Sequence, residues 1–104
     1  DWIHVSDSCN AISKIIDKAP DNEIYNISAK QEFMNLEVAQ IICNTIGYGH
    51  ELITHVDDRP GHDFRYSMNN DKIKGLDWSP QYKFRDGIQQ TCQWFITNKY
   101  VLRM

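Results

Sequence analysis

The chain has 104 residues, 41% of them hydrophobic and 24% charged, with a formal net charge of −3. That length suits one domain and is short for two, and the composition is ordinary for a soluble globular fold. The acidic balance excludes a general nucleic-acid surface, no apolar run is long enough to cross a membrane and no signal peptide is present, so a cytoplasmic protein that grips any anion with a local cluster is expected.

Trp2-Ile3-His4-Val5 opens the chain as a short β-prone run. Ser6 or Asp7 then offers an N-cap for a helix whose Ala11, Ile12, Ile15, Ile16 and Ala19 form one stripe, expected to be core. Pro20-Asp21-Asn22 ends that helix. Glu23 to Ser28 reads as a second strand with Ile24 or Tyr25 inward, and Ala29 to Phe33 as a connection. A second helix from Asn35 to Ile46 sets Met34, Val38, Ile41, Ile42 and Thr45 on one face, and Gly47 suits its C-terminal cap. His50 to Val56 reads as a third strand, with Leu52, Ile53 and Val56 as its apolar members. After a charged loop, Asn69-Asn70-Asp71 caps a short helical turn over Lys72 to Gly75, and Trp78-Ser79-Pro80 is a packed connection. The last helix starts near Phe84, with Asp86 where the macrodipole favours an acid and Ile88, Cys92, Trp94 and Phe95 inward. The tail from Asn98 to Met104 is expected to fray. The order β-α-β-α-β-loop-α-α is an α/β or α+β layout, taken as α/β, with three short strands and four to five helices. So small a sheet beside so many apolar helix faces implies that something further packs on it.

Cys9, Cys43 and Cys92 are odd in number and far apart, with no Cys-x-x-Cys pair. They read as buried, reduced, structural thiols, and neither a disulfide framework nor a zinc site is expected. His4, His50, His55 and His62 likewise lack ligand spacing, so no metal site is assigned.

The charged loop Asp57-Asp58-Arg59-Pro60-Gly61-His62-Asp63-Phe64-Arg65-Tyr66 concentrates the chemistry. Pro60 fixes its own φ and extends Arg59, while Gly61 admits a positive φ or a close backbone approach. The loop carries two guanidinium forks suited to phosphate or carboxylate. The bland alternative is a surface turn whose charges pair with one another, Arg59 with Asp57 or Asp58, worth about 0–1 kcal/mol.

The order of residues from Asp58 to Asp63, with Arg65-Tyr66, resembles the signature in the C-terminal part of nucleoside-diphosphoglucose 4,6-dehydratases, of the extended short-chain dehydrogenase/reductase superfamily. Other stretches agree in order. Asp1-Trp2-Ile3-His4-Val5-Ser6-Asp7 is similar to that family's Asp-Trp-Leu-Tyr-Val-x-Asp, and Tyr25-Asn26-Ile27 to its Tyr-Asn-Ile strand. Asn35-Leu36-Glu37 matches its Asn-Leu-Glu helix start, and Leu76-Asp77-Trp78-Ser79-Pro80 its Leu-Gly-Trp-x-Pro. Gly87-Ile88, Thr91 and Trp94-Phe95 resemble its last helix. The chain departs from the family at Ser8-Cys9-Asn10-Ala11, where His-Ala-Arg-Ala is frequent, and at Met34, where Thr is frequent.

The resemblance implies that residues 1–104 are the C-terminal, substrate-binding lobe of such an enzyme, incomplete without its Rossmann lobe. In that family the N-terminal lobe binds NAD and carries a Tyr-x-x-x-Lys pair. The reaction makes a 4-keto-6-deoxy sugar nucleotide. The five glycines here cannot form Gly-x-x-Gly-x-x-Gly, and no Lys lies four residues after a Tyr. No catalytic or cofactor-binding residue is therefore assigned to this chain, NAD falls to the N-terminal lobe, and the isolated piece is expected to be inactive. The sequence starts at Asp1 without an initiator methionine and reads as a piece of a longer protein.

By the same resemblance, Asn35 is expected to bond the nucleotide of dTDP- or UDP-glucose and Arg59 to clamp its diphosphate. His62 would touch ribose or diphosphate, Asp58 would hold the Arg59 fork, and Pro60 and Gly61 would shape the loop. Asp63, Arg65 and Tyr66 brace it, and Trp2, Trp78 and Trp94 serve core or lobe packing. The expected partners are the sugar nucleotide, the chain's own Rossmann lobe and, at full length, a second copy in a homodimer. The competing readings are a lobe of a related epimerase or decarboxylase and a stand-alone, non-catalytic binding or assembly module.

Overall fold

The computed structural model describes residues 1–103, the side chains of 102 and 103 excepted. It holds helices α1 (Val5–Lys18), α2 (Asn35–Ile46), α3 (Asp71–Lys74) and α4 (Phe84–Thr97), with 3-10 turns at His50–Leu52 and Lys99–Arg103. Met104, the end of the tail expected to fray, lies outside the described residues. Among the described residues no helix is long and apolar enough to cross a membrane.

The three expected strands are not formed among the described residues. A strand needs a neighbour that supplies a ladder of hydrogen bonds. The first two segments stay non-helical except for Val5, which opens α1, and the Trp2 N–H donates to the Gln31 carbonyl at 3.0 Å, but no ladder results. Ile24 is exposed and Tyr25 half-buried, so Tyr25 is the inward member of the second segment. The third segment begins as a 3-10 turn closed by Ile53 N–H to the His50 carbonyl at 3.0 Å. Local bonds decide this: Gly47 at φ 80° turns the chain out of α2, and His50 Nε2 meets Asn44 Oδ1 at 3.0 Å. Leu52 and Val56 remain exposed.

Two compact units divide the chain. The first comprises Asp1–Glu32 and Asp63–Phe84. Its core is Ala11, Ile73 and Trp78, with Ile3, Ile15, Tyr25 and Ile27 packed on them. The helix start differs from expectation here. His4, not Ser6 or Asp7, caps α1: its Nδ1 accepts from Ser6 N–H at 3.3 Å and its ring stacks on Tyr82 at 4.0 Å. Asp7 is used otherwise. It is 0% exposed and accepts from the backbone N–H groups of Gln81 at 3.0 Å and Tyr82 at 3.1 Å. Trp78 Nε1 donates to the Asp7 carbonyl at 3.1 Å. Gln31 makes a second tie, donating to the Tyr82 carbonyl at 2.9 Å and accepting from Phe84 N–H at 2.5 Å. Buried Ser28 donates to the Asp1 carboxylate, and its carbonyl accepts from Asn70 Nδ2 at 2.7 Å.

The α1 stripe expected in the core splits into two rows. Successive residues lie 100° apart on a helix, so residues three or four apart share a face. The row Asp7, Ala11, Ile15 faces inward, and the row Cys9, Ile12, Ile16 is exposed, Ile16 by 78%. Cys9 is accordingly an exposed thiol, whereas Cys43 and Cys92 are buried.

The second unit comprises Phe33–His62 and the chain from Arg85 on. Its α2 buries Val38 and Cys43 and leaves Met34 exposed. Its part of α4 buries Gly87 and Cys92, with Ile88 half-buried. Trp94 and Phe95, expected inward, are exposed; they meet edge to face with ring centroids 5.0 Å apart.

Candidate functional site

Asn35, Asp58, Arg59, Pro60, Gly61 and His62 all belong to the second unit, and all are exposed. The turn follows directly from its sequence. His62 N–H donates to the Arg59 carbonyl at 3.2 Å, closing a four-residue turn with Pro60 and Gly61 at its centre. Gly61 has φ 71°, which with proline before it is the signature of a type II turn. A Cβ at Gly61 would meet nothing within 4 Å, so the demand for glycine there is conformational, not steric.

The turn sets His62 four residues beyond Asp58 on one flank. Their Nδ1···Oδ1 separation is 2.6 Å, and the His62 side chain is only 32% exposed. The hydrogen bond from His62 is the main cause that holds the Asp58 carboxyl below its usual range. Asp58 therefore engages His62, and the expectation that it holds the Arg59 fork is corrected. Among the described residues the Arg59 guanidinium makes no hydrogen bond or ion pair, with Asp57, Asp58 or any other acid. Five N–H donors face solvent at the rim of a rigid turn.

Asn35 is the first residue of α2. Glu37 closes that helix end by accepting from Met34 N–H at 2.8 Å. The Asn35 side chain makes no hydrogen bond among the described residues, so it is not spent on capping. No hydrogen bond links Asn35 to the Asp58–His62 turn among the described residues.

The downstream part of the loop lies in the first unit and is internally satisfied. Arg65 grips Glu32 with two bonds, Nε at 2.6 Å and Nη2 at 2.7 Å, and Ser67 Oγ adds a third at 2.9 Å. The Arg65 fork, helped by Ser67, brings the Glu32 carboxyl down to about 2. Tyr66 donates its hydroxyl to Asp63 at 2.7 Å, and that bond raises the phenol above its usual value. Sequence reasoning missed Glu32. It is 33 residues from Arg65, and no local pattern links them.

Among the described residues no group of three or more His, Cys, Asp or Glu side chains could hold a metal ion. A dinucleotide pyrophosphate would need a glycine-rich turn opening a helix. Helices α1 and α2 follow His4 and Met34, and Lys83 precedes α4, so this chain's residues do not fit NAD.

The GDP-mannose 4,6 dehydratase family profile matches residues 1–91. A dTDP-glucose 4,6-dehydratase from Streptomyces niveus is 42% identical over 99 residues, covering 94% of this chain and 30% of that protein. A crystal structure of dTDP-glucose 4,6-dehydratase from Bacillus anthracis, in complex with NAD, is 40% identical with a TM-score of 0.87, over 96% of this chain and 32% of that one. One from Streptomyces venezuelae, with NAD bound, is 34% identical with a TM-score of 0.88, over 95% of this chain and 31% of that one. The chain thus spans about a third of the length of the relatives it matches.

Proposed function

The chain belongs to the GDP-mannose 4,6 dehydratase family, and from that premise we propose that it is the C-terminal, substrate-binding lobe of an NAD-dependent dTDP- or UDP-glucose 4,6-dehydratase. The whole enzyme is a hydro-lyase that yields a 4-keto-6-deoxy sugar nucleotide. NAD is held by the two thirds of the fold outside the match, as are the groups that move hydride and proton. This lobe contributes grip. Arg59 takes the diphosphate with its two-pronged fork, and Asn35 reads the nucleotide, its amide able to donate and accept. Pro60 and Gly61 hold the fork in place. The relatives named as dTDP-glucose 4,6-dehydratases support the dTDP sugar as the substrate.

The observation that carries this reading is the Arg59 guanidinium, unpaired among the described residues, on a type II turn whose neighbouring carboxylate is already engaged by His62. A surface arginine kept only for stability would be expected to take the adjacent acid. The test is Arg59→Ala in the full-length protein, assayed with dTDP-glucose. We expect KM to rise about tenfold or more with little change in kcat, because a diphosphate grip is present in ground and transition states alike. An unchanged KM refutes the clamp. Residues 1–104 alone will turn over no dTDP-glucose, and measured turnover by them would sink the assignment as a lobe.

A further inference from the structure

Resting on the sugar-nucleotide reading above, we infer that Glu32 is a positioning residue for the substrate grip: with Arg65 and Ser67 it clasps together the two chain segments that lead to Asn35 and from Arg59. The chain leaves the first unit after Glu32 and re-enters it at Asp63, and the stretch Phe33–His62 between them holds every candidate ligand-binding side chain. Glu32 and Arg65 stand at the two ends of that stretch, 33 residues apart in sequence. Three donors meet the one carboxylate, Arg65 Nε at 2.6 Å, Arg65 Nη2 at 2.7 Å and Ser67 Oγ at 2.9 Å. A surface ion pair contributes little to stability, but a two-pronged one fixes distance and direction together. Behind the clasp both segments are anchored in the first unit. Gln31 N–H donates to Asp1 Oδ1 at 3.2 Å, and Asn70 Nδ2 reaches the Ser28 carbonyl at 2.7 Å. In front of it the path to each ligand group is short. Asn35 follows Glu32 by three positions. Arg59 is tied towards Arg65 by its own carbonyl bond from His62 N–H and by the Tyr66 bond to Asp63. No hydrogen bond joins Asn35 to the turn among the described residues, so a fixed start for the two segments comes from their ends. A ligand held at two points, nucleotide and diphosphate, gains most when those points are held in place beforehand.

Variants of the full-length protein test this role, with dTDP affinity read by isothermal titration and thymidine affinity by competition against dTDP. Both Glu32 and Arg65 are exposed, so their alanine variants fold. Glu32→Ala weakens dTDP, which spans both ligand groups, by about three- to fivefold. It leaves thymidine, which lacks the diphosphate, within about twofold of the wild-type value. Arg65→Ala matches it, and the double variant is no weaker than either single one, because the two residues act as a pair. Unchanged dTDP affinity in Glu32→Ala overturns the inference, leaving the clasp a role in stability alone. An equal loss for dTDP and thymidine overturns it too, since a general loosening of the second unit does not tell the two ligands apart. An additive double variant does the same, because Arg65 would then act on the ligand without Glu32. Arg59→Ala keeps the two readings separate. Intact dTDP binding in that variant sinks the diphosphate grip itself, whereas a loss there with none in Glu32→Ala sinks only the clasp.

Discussion

The two units of the chain are held in opposite ways. In the first unit, side chains tie together residues far apart in sequence: Asp7 to Gln81 and Tyr82, Gln31 to Tyr82 and Phe84, Asn70 to Ser28, Arg65 to Glu32. In the second unit the side-chain bonds are local, as in Glu37 with Met34, Asn44 with His50 and His62 with Asp58. Fully buried polar side chains, Asp7, Ser28 and Asn70, occur in the first unit. Every candidate ligand-binding side chain is in the second. The contrast teaches a division of labour. Buried polar groups are costly unless satisfied: Asp7 and Ser28 are hydrogen-bonded, and Asn70 bonds through Nδ2 while its Oδ1 has no partner among the described residues. Exposed donors on a turn cost the fold little and remain free for a ligand.

The largest blow to this division would come through Trp78. Trp78→Ala leaves a cavity at the first unit's core and removes the Nε1 bond to the Asp7 carbonyl. We expect a loss of about 3–5 kcal/mol by urea denaturation. A loss below about 1 kcal/mol would show that the first unit is not where stability resides. Asp7→Asn comes next. The amide can accept from one of the two N–H groups, of Gln81 and Tyr82, but turns its own NH2 to the other. The expected loss is about 1–3 kcal/mol, read from the same denaturation.

Glu32→Gln sharpens the comparison through pH. The Glu32 carboxyl is depressed in the folded chain to about 2, from an ordinary 4.5, by Arg65 and Ser67. A depressed carboxylate stabilises fully above its unfolded value and loses that contribution as pH falls through the folded one. Wild type will therefore exceed Glu32→Gln in urea midpoint at neutral pH, and the gap will close between about 4.5 and about 2. A gap independent of pH would mean that the ion pair with Arg65 is not its source. The smallest effect on stability is expected from Arg59→Ala, within about 0.5 kcal/mol, because its guanidinium is exposed and unpaired among the described residues.

Periodicity and turn chemistry made part of this legible. The helix from Asn35 to Ile46, the start of α4 at Phe84, the Gly47 cap and the Pro60-Gly61 turn all follow from local rules. Partners were not legible. Extended segments were recognised as β-prone, but whether a ladder forms depends on a neighbour that no local pattern supplies. The same limit hid Glu32 behind Arg65 and Gln81 behind Asp7. Periodicity also gave α1 one broad apolar stripe, where packing uses only the row through Ala11 and Ile15. In the site, the residue types were legible and their pairing was not: nothing in the sequence says that Asp58 chooses His62 over Arg59.

The central claim is that the turn of the second unit grips a diphosphate with Arg59. Isothermal titration of dTDP into the full-length protein and its Arg59→Ala variant tests it most directly. The account predicts a dissociation constant higher by about tenfold or more in the variant, with an unchanged urea midpoint. Equal affinity for dTDP in the two proteins would contradict it.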